Sequence, residues 1–179
     1  YYKEEKTRES VLESIYDTVP IKSIRDTTVY SDVGAIILGE IVEKISGLPL
    51  DVFADSMIFK PLGMGTTFFN PPSNKMRRIV PTEFKPDGTI VHGYVHDENA
   101  FSLGGVAGHA GLFSTAKDLA VFSQMMLNDG LYGWKRIFKT ETVNEFITKA
   151  NVVDGSSRLL GWDSPGGYAS GGIYLSDNS

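Results

Sequence analysis

Tyr30-Ser31-Asp32 puts a phenol, a hydroxyl and a carboxylate within three residues, directly ahead of the apolar run Val33 to Ser46. A phenol and a carboxylate are groups that can handle protons, but on the residues alone the plainer reading is a buried tyrosine with a satisfied hydroxyl and an N-capping acid. Three other patterns compete for chemistry. His92 and His96 stand four apart in Val91-His92-Gly93-Tyr94-Val95-His96-Asp97-Glu98, with His109 as a possible third metal ligand. Ser114-Thr115-Ala116-Lys117 matches Ser-x-x-Lys, in which a serine nucleophile and its lysine lie one helical turn apart. Gly104-Gly105-Val106-Ala107-Gly108-His109-Ala110-Gly111 is rich in glycine.

Each competitor has a plainer explanation. Histidines four apart share a face only on a helix, and Gly93 with its β-branched neighbours favours extended chain, where they would stand about 13 Å apart. No metal or cofactor is therefore expected, and His96 and Asp97 are expected to tie a loop together. Ser114 and Thr115 fall where a helix begins, the usual place for capping hydroxyls, with Lys117 turned to solvent beside Asp118. The glycine run has neither a Walker lysine nor a preceding strand, so it reads as backbone packed closely against a neighbour.

Several elements must position these residues. Val11, Leu12, Ile15 and Tyr16 mark an amphipathic helix over 7–17. A second helix is expected from Asp32 to Ser46, capped by Ser31 or Asp32, stopped by Gly47 and buried around most of its circumference. Pro49 opens a third, through Val52, Phe53, Met57 and Ile58, which Pro61 should end. From Leu62 to Leu112, prolines and glycines break the pattern, with a hairpin expected at Asp87-Gly88. So long an irregular stretch usually lines a site or wraps a neighbour. Helices are expected again from Thr115 to Asp129-Gly130 and from Thr140 to Lys149, the latter with Val143, Phe146 and Ile147 inward. A strand is expected at Ile173-Tyr174-Leu175.

Composition narrows the class. The chain has 179 residues, 41% of them apolar and 22% charged, which suits one globular domain. A net charge of -5 argues against nucleic acid, and Lys75-Met76-Arg77-Arg78, without an aromatic platform, reads as a solvated loop. With no cysteine there is no disulfide, thiolate metal site or cysteine nucleophile. No apolar run approaches the ~20 residues of a membrane span.

The pattern Tyr30-Ser31-Asp32-Val33-Gly34, then Leu38-Gly39-Glu40-Ile41-Val42-Glu43, Ser46-Gly47-Leu48-Pro49-Leu50 and Phe53, resembles the serine β-lactamase and penicillin-binding-protein-like hydrolases, in particular their class C and esterase branch. Pro61-Leu62-Gly63-Met64, Thr66-Thr67-Phe68, Val95 to Ala100 and Gly104 to Asp118 are similar to the form fused to bacterial family 3 glycosidases. The resemblance implies an α+β fold of the β-lactamase/transpeptidase type, with this chain mainly its helical subdomain and long loops. It implies that residues 1–179 form a single, incomplete domain.

Such enzymes carry an acylated serine in Ser-x-x-Lys, then Tyr-x-Asn, then a Lys-Thr-Gly or His-Thr-Gly strand. By resemblance Tyr30 falls on the catalytic tyrosine and Asp32 on the asparagine, which loses two donors and gains charge. The first motif is absent ahead of Tyr30 and the third is absent altogether. The implied partners are a small-molecule or peptide substrate of the intact parent and the rest of the parent hydrolase domain, in a periplasmic or extracellular setting.

A free phenol has a pKa near 10, so only about one in a thousand is ionised at neutral pH and a tyrosine base needs a lysine beside it. Without nucleophile and oxyanion strand the chain alone is expected to be inactive. The alternatives are a non-catalytic helical binding module and, below it, a metal-dependent hydrolase using His92 and His96.

Overall fold

The computed structural model describes residues 7–164, so the expected strand at Ile173-Tyr174-Leu175 lies outside the described residues. The chain divides into two compact units. One takes the chain up to Val19 together with Ser31–Phe122, and the other takes Pro20–Tyr30 and the chain from Ser123 onward.

In the first unit, α1 (Arg8–Tyr16) is capped by the Thr7 hydroxyl, which accepts from the Ser10 amide. It buries Val11, Leu12 and Ile15 against Ile36 of α2 (Asp32–Ser46) and against Val95, Ala100, Leu103 and Ala107. Arg8 ties the two helices by ion pairs to Glu40 and, at 2.9 Å, to Glu43. The expected bounds of α2 hold, with Gly47 as a left-handed stop at φ 70°. Its expected burial does not. Only Ile36 and Gly39 are buried, while Leu38, Ile41 and Ile45 are 64%, 45% and 82% exposed. Apolar spacing specifies a face that wants cover, and among the described residues nothing covers this one.

The glycine run does pack as expected. A Cβ on Gly108 would stand 2.0 Å from the Ala35 carbonyl oxygen of α2, and one on Gly39 would stand 3.2 Å from the Gly108 nitrogen. Backbone therefore meets backbone at Gly39 and Gly108, which locks the 104–111 loop onto the helix that starts at Asp32.

The third helix runs past its expected end. α3 (Leu50–Ala54) begins where the Leu50 amide donates to Glu43 at 2.8 Å. It widens into a π turn over Asp55–Phe59 and closes as α4 (Lys60–Leu62), before Gly63 at φ 72°. Pro61 has no N–H to give the preceding turn, and the wider turn accommodates that loss without a break.

The 62–112 stretch holds more order than its composition suggests. β1 (Phe68–Phe69) pairs antiparallel with β4 (Leu112–Phe113), Phe68 opposite Phe113. A 3₁₀ helix covers Ser73–Arg78. The expected hairpin forms from β2 (Glu83–Phe84) and β3 (Ile90–Val91), turning at Gly88 with φ 85°. α5 (Glu98–Ser102) is capped by Asp97, whose carboxylate accepts from the Ala100 amide at 2.8 Å.

The second unit contains the C-terminal end of α6 (Ala116–Leu127), the hairpin of β5 (Leu131–Tyr132) and β6 (Lys135–Arg136), and α7 (Thr140–Phe146). Met125 and Val143 are its fully buried apolar side chains among the described residues. α7 ends at Phe146, three residues short of expectation. Phe146 and Ile147 are half exposed, so only Val143 gives the helix an inward anchor.

Candidate active site

Tyr30 and Asp32 stand on either side of the division between the units. Tyr30 is 81% exposed. Ser31 holds the N-cap position of α2, but its side chain makes no capping hydrogen bond, so the expected hydroxyl cap is not formed. Asp32 opens the helix, where a negative charge favours the positive end of the helix dipole.

Around Asp32 the first unit assembles a polar cluster. One ligating atom each from Asp32, Asp97 and His109 lie within 4.8 Å of one another. His109 Nε2 sits 2.8 Å from Asp97 Oδ1, and the imidazole side chain is 5% exposed. Its other nitrogen, Nδ1, is buried without a hydrogen-bond partner. Burial pushes the Asp97 carboxyl up, but the Ala100 amide and His109 outweigh it and hold the group below its ordinary value.

Three loops make this meeting possible. Asp32 follows the Tyr30-Ser31 approach, Asp97 caps α5, and His109 is carried by the glycine loop that abuts Ala35. Two carboxylates and an imidazole are a donor set that suits a divalent cation. Here, however, Asp97 Oδ1 is already the acceptor for an amide and the ring. The far ring nitrogen also lacks the acceptor that orients metal-binding imidazoles. The hydrogen bonds given for the cluster run from the Ala100 amide and His109 to Asp97.

The histidine pair separates. His92 Nε2 is 2.9 Å from the Ile79 carbonyl oxygen, and His96, more than half exposed, faces Glu83 at 3.5 Å. Neither joins the cluster; only His109, the third candidate, does. His96 therefore pairs with β2, while Asp97 does the loop-tying expected of both.

Ser114 and Lys117 do not form a nucleophile and base. Thr66 and Thr67 donate their hydroxyls to Asp118 Oδ2 at 2.7 and 2.9 Å, and the Thr66 amide donates to the same oxygen at 2.8 Å. With those protons committed, the contact of 2.8 Å between Ser114 and Thr67 requires Ser114 to donate. The contact of 3.0 Å between Thr115 and Thr66 likewise requires Thr115 to donate. The Thr115 oxygen also caps the Asp118 amide at 3.3 Å, and Lys117 is exposed. Burial acts to raise the Asp118 carboxyl, but the donations from Thr66 and Thr67 prevail and hold it below its ordinary range.

Comparison with known proteins gives the family. The model of the family described as Beta-lactamase matches residues 2–176. The chain belongs to the Beta-lactamase family. It is 44% identical over 149 residues to the "Putative D-alanyl-D-alanine carboxypeptidase" of Escherichia coli (strain K12), a match covering 75% of this chain and 34% of that protein. It is 40% identical over 172 residues to the protein of the same description from Salmonella gallinarum (strain 287/91 / NCTC 13346), covering 88% of this chain and 39% of that protein.

Two solved structures share the fold. The penicillin-binding protein homologue from Pyrococcus abyssi is 22% identical with a TM-score of 0.59, over 79% of this chain and 30% of that one. The Beta-Lactamase/D-Alanine Carboxypeptidase from Pseudomonas syringae is 17% identical with a TM-score of 0.58, over 77% and 36%. The fold is thus of the β-lactamase/transpeptidase type, and the chain spans about a third of the length of the curated relatives it matches. No helix among the described residues is long and apolar enough to cross a membrane.

Sequence reasoning singled out Asp32, Asp97 and His109 separately and missed their convergence. The available signal was an acid placed to cap a short helix and a histidine set among glycines.

Proposed function

We propose that this chain is part of a serine hydrolase domain that cleaves an ester, amide or peptide bond through an acyl-serine intermediate. Tyr30 relays protons at the site and Asp32 orients polar groups there. The observation that carries this reading is the cluster at the start of α2. Two residues after Tyr30, Asp32 meets a His109–Asp97 pair in which the imidazole side chain is buried and keeps one ring nitrogen unpaired, while Asp97 is partly exposed.

In the intact protein a serine oxygen supplied from outside these residues attacks the substrate carbonyl and passes its proton to the Tyr30 side. The leaving group departs with a proton, and water then hydrolyses the acyl-serine. The rest of the hydrolase domain is the partner of this chain. The row Leu38, Ile41 and Ile45, exposed at i, i+3 and i+7 on α2, supports a missing apolar neighbour. We read residues 1–179 as one incomplete domain, and a peptide as the substrate class nearest to the descriptions of the curated relatives.

A fluorophosphonate probe tests this. The intact protein should label stoichiometrically at a serine outside these residues, and the 179-residue chain should not label. Labelling at Ser114 would overturn the assignment.

A further inference from the structure

Lys75 and Arg78 belong to a sequence run that looks like a solvated loop. The 3₁₀ helix Ser73–Arg78 leaves Lys75 partly buried and Arg78 exposed, and brings both to the wall of a cavity of about 380 Å³ within the first unit. Phe68, Tyr94 and Phe113 form an aromatic side of it, held in place by the β1–β4 pairing that sets Phe68 opposite Phe113. The volume is within the ordinary range for small-molecule sites, which are mostly apolar with a few placed polar groups.

The fully charged side chains of the lining are both basic. No aspartate or glutamate lines it, although the chain as a whole carries a net charge of -5. Among the described residues the side chains of Lys75 and Arg78 make no hydrogen bond and no ion pair. The other titratable side chains in the lining are His96, which has Glu83 as its own partner, and Tyr94. Asp118, the one buried acid among the described residues, does not line the cavity; it accepts from Thr66, which does. Two unpaired cations beside apolar walls call for a ligand with an acid at one end and an apolar body at the other. A guanidinium fork matches a planar carboxylate in particular.

We infer that this cavity binds a small organic carboxylate, its acid group between Lys75 and Arg78 and its apolar body against Phe68, Tyr94 and Phe113. The inference does not depend on Tyr30 acting in hydrolysis.

Calorimetric titration of the intact protein with N-acetylphenylalanine tests it, with N-acetylphenylalanine amide and inorganic phosphate as controls. Saturable binding is expected, weakened about tenfold or more for the amide and for each of Lys75→Met and Arg78→Met, since each removes one charge-assisted contact. Arg78→Lys keeps the charge and should lose less than Arg78→Met. Far-UV circular dichroism verifies that the variants stay folded. Four results would overturn the inference: no saturation by about 10 mM, equal affinity for acid and amide, binding indifferent to both charge-removing variants, or phosphate binding as tightly as the organic acid.

Discussion

Two polar clusters of the first unit use similar side chains and differ in how their protons are disposed. Around Asp118, two threonines, a serine, a third threonine and an amide all point their hydrogens inward, directly or in relay, to one carboxylate oxygen. That cluster is closed. Around Asp32, two carboxylates converge on one imidazole whose second nitrogen is buried and unpaired. An unpaired buried polar group costs free energy, and this one lies in the cluster that also holds Asp32. The closed cluster carries a Ser-x-x-Lys match and has no free chemistry. The open one matches no short motif.

Mutation should separate the two. Tyr30→Phe in the intact protein should lower turnover by roughly 10²–10⁴. Its unfolding midpoint should not move, because the ring is 81% exposed. Retained turnover would remove Tyr30 from the mechanism. Asp118→Asn should do the reverse. It weakens three donations at once and should cost about 2–4 kcal/mol in denaturant unfolding, with activity per folded molecule unchanged. A comparable loss of turnover would mean that the closed cluster is catalytic after all.

Acid should distinguish them next. Asp118 and Asp97 both titrate below their unfolded values, so each contributes stability above the unfolded pKa, about 3.9, and loses it as pH falls through the folded one. Glu40 acts in the opposite sense, raised by burial more than Arg8 lowers it. Unfolding free energy measured from pH 6 down to 2 should therefore decline below about pH 4. Asp118→Asn should flatten that decline, and an unchanged acid limb in the variant would contradict the account of its hydrogen bonds. The smallest effect expected is that of Ser114→Ala. It removes one donation to Thr67 and should cost about 0.5–1.5 kcal/mol with no loss of turnover.

Much of the frame was legible in the sequence. The period of α2 and its stop at Gly47 marked its ends, and Asp87-Gly88 marked the hairpin. The remainder depended on partners distant in the chain. Phe68 and Phe113 pair through strands of two residues, too short to show a period of two. The π turn at Asp55–Phe59 follows from how neighbouring turns absorb Pro61, which composition cannot reveal. The exposed row on α2 was read as buried because an apolar pattern reports the need for cover and not its presence. Tyr30 and Asp32 stood out because their spacing resembles the Tyr-x-Asn motif. His109 is carried to Asp32 on the loop whose Gly108 packs against the Ala35 carbonyl, and Asp97 comes from the cap of α5.

The most direct test of the open cluster is the turnover of the intact protein carrying Asp32→Ala, measured together with its unfolding midpoint. Removing an acid from the first position of α2 should cost under about 1 kcal/mol of stability. Turnover should fall roughly tenfold to a hundredfold, the loss expected when a group that orients a proton relay is removed. Wild-type turnover in a folded Asp32→Ala protein would contradict the account.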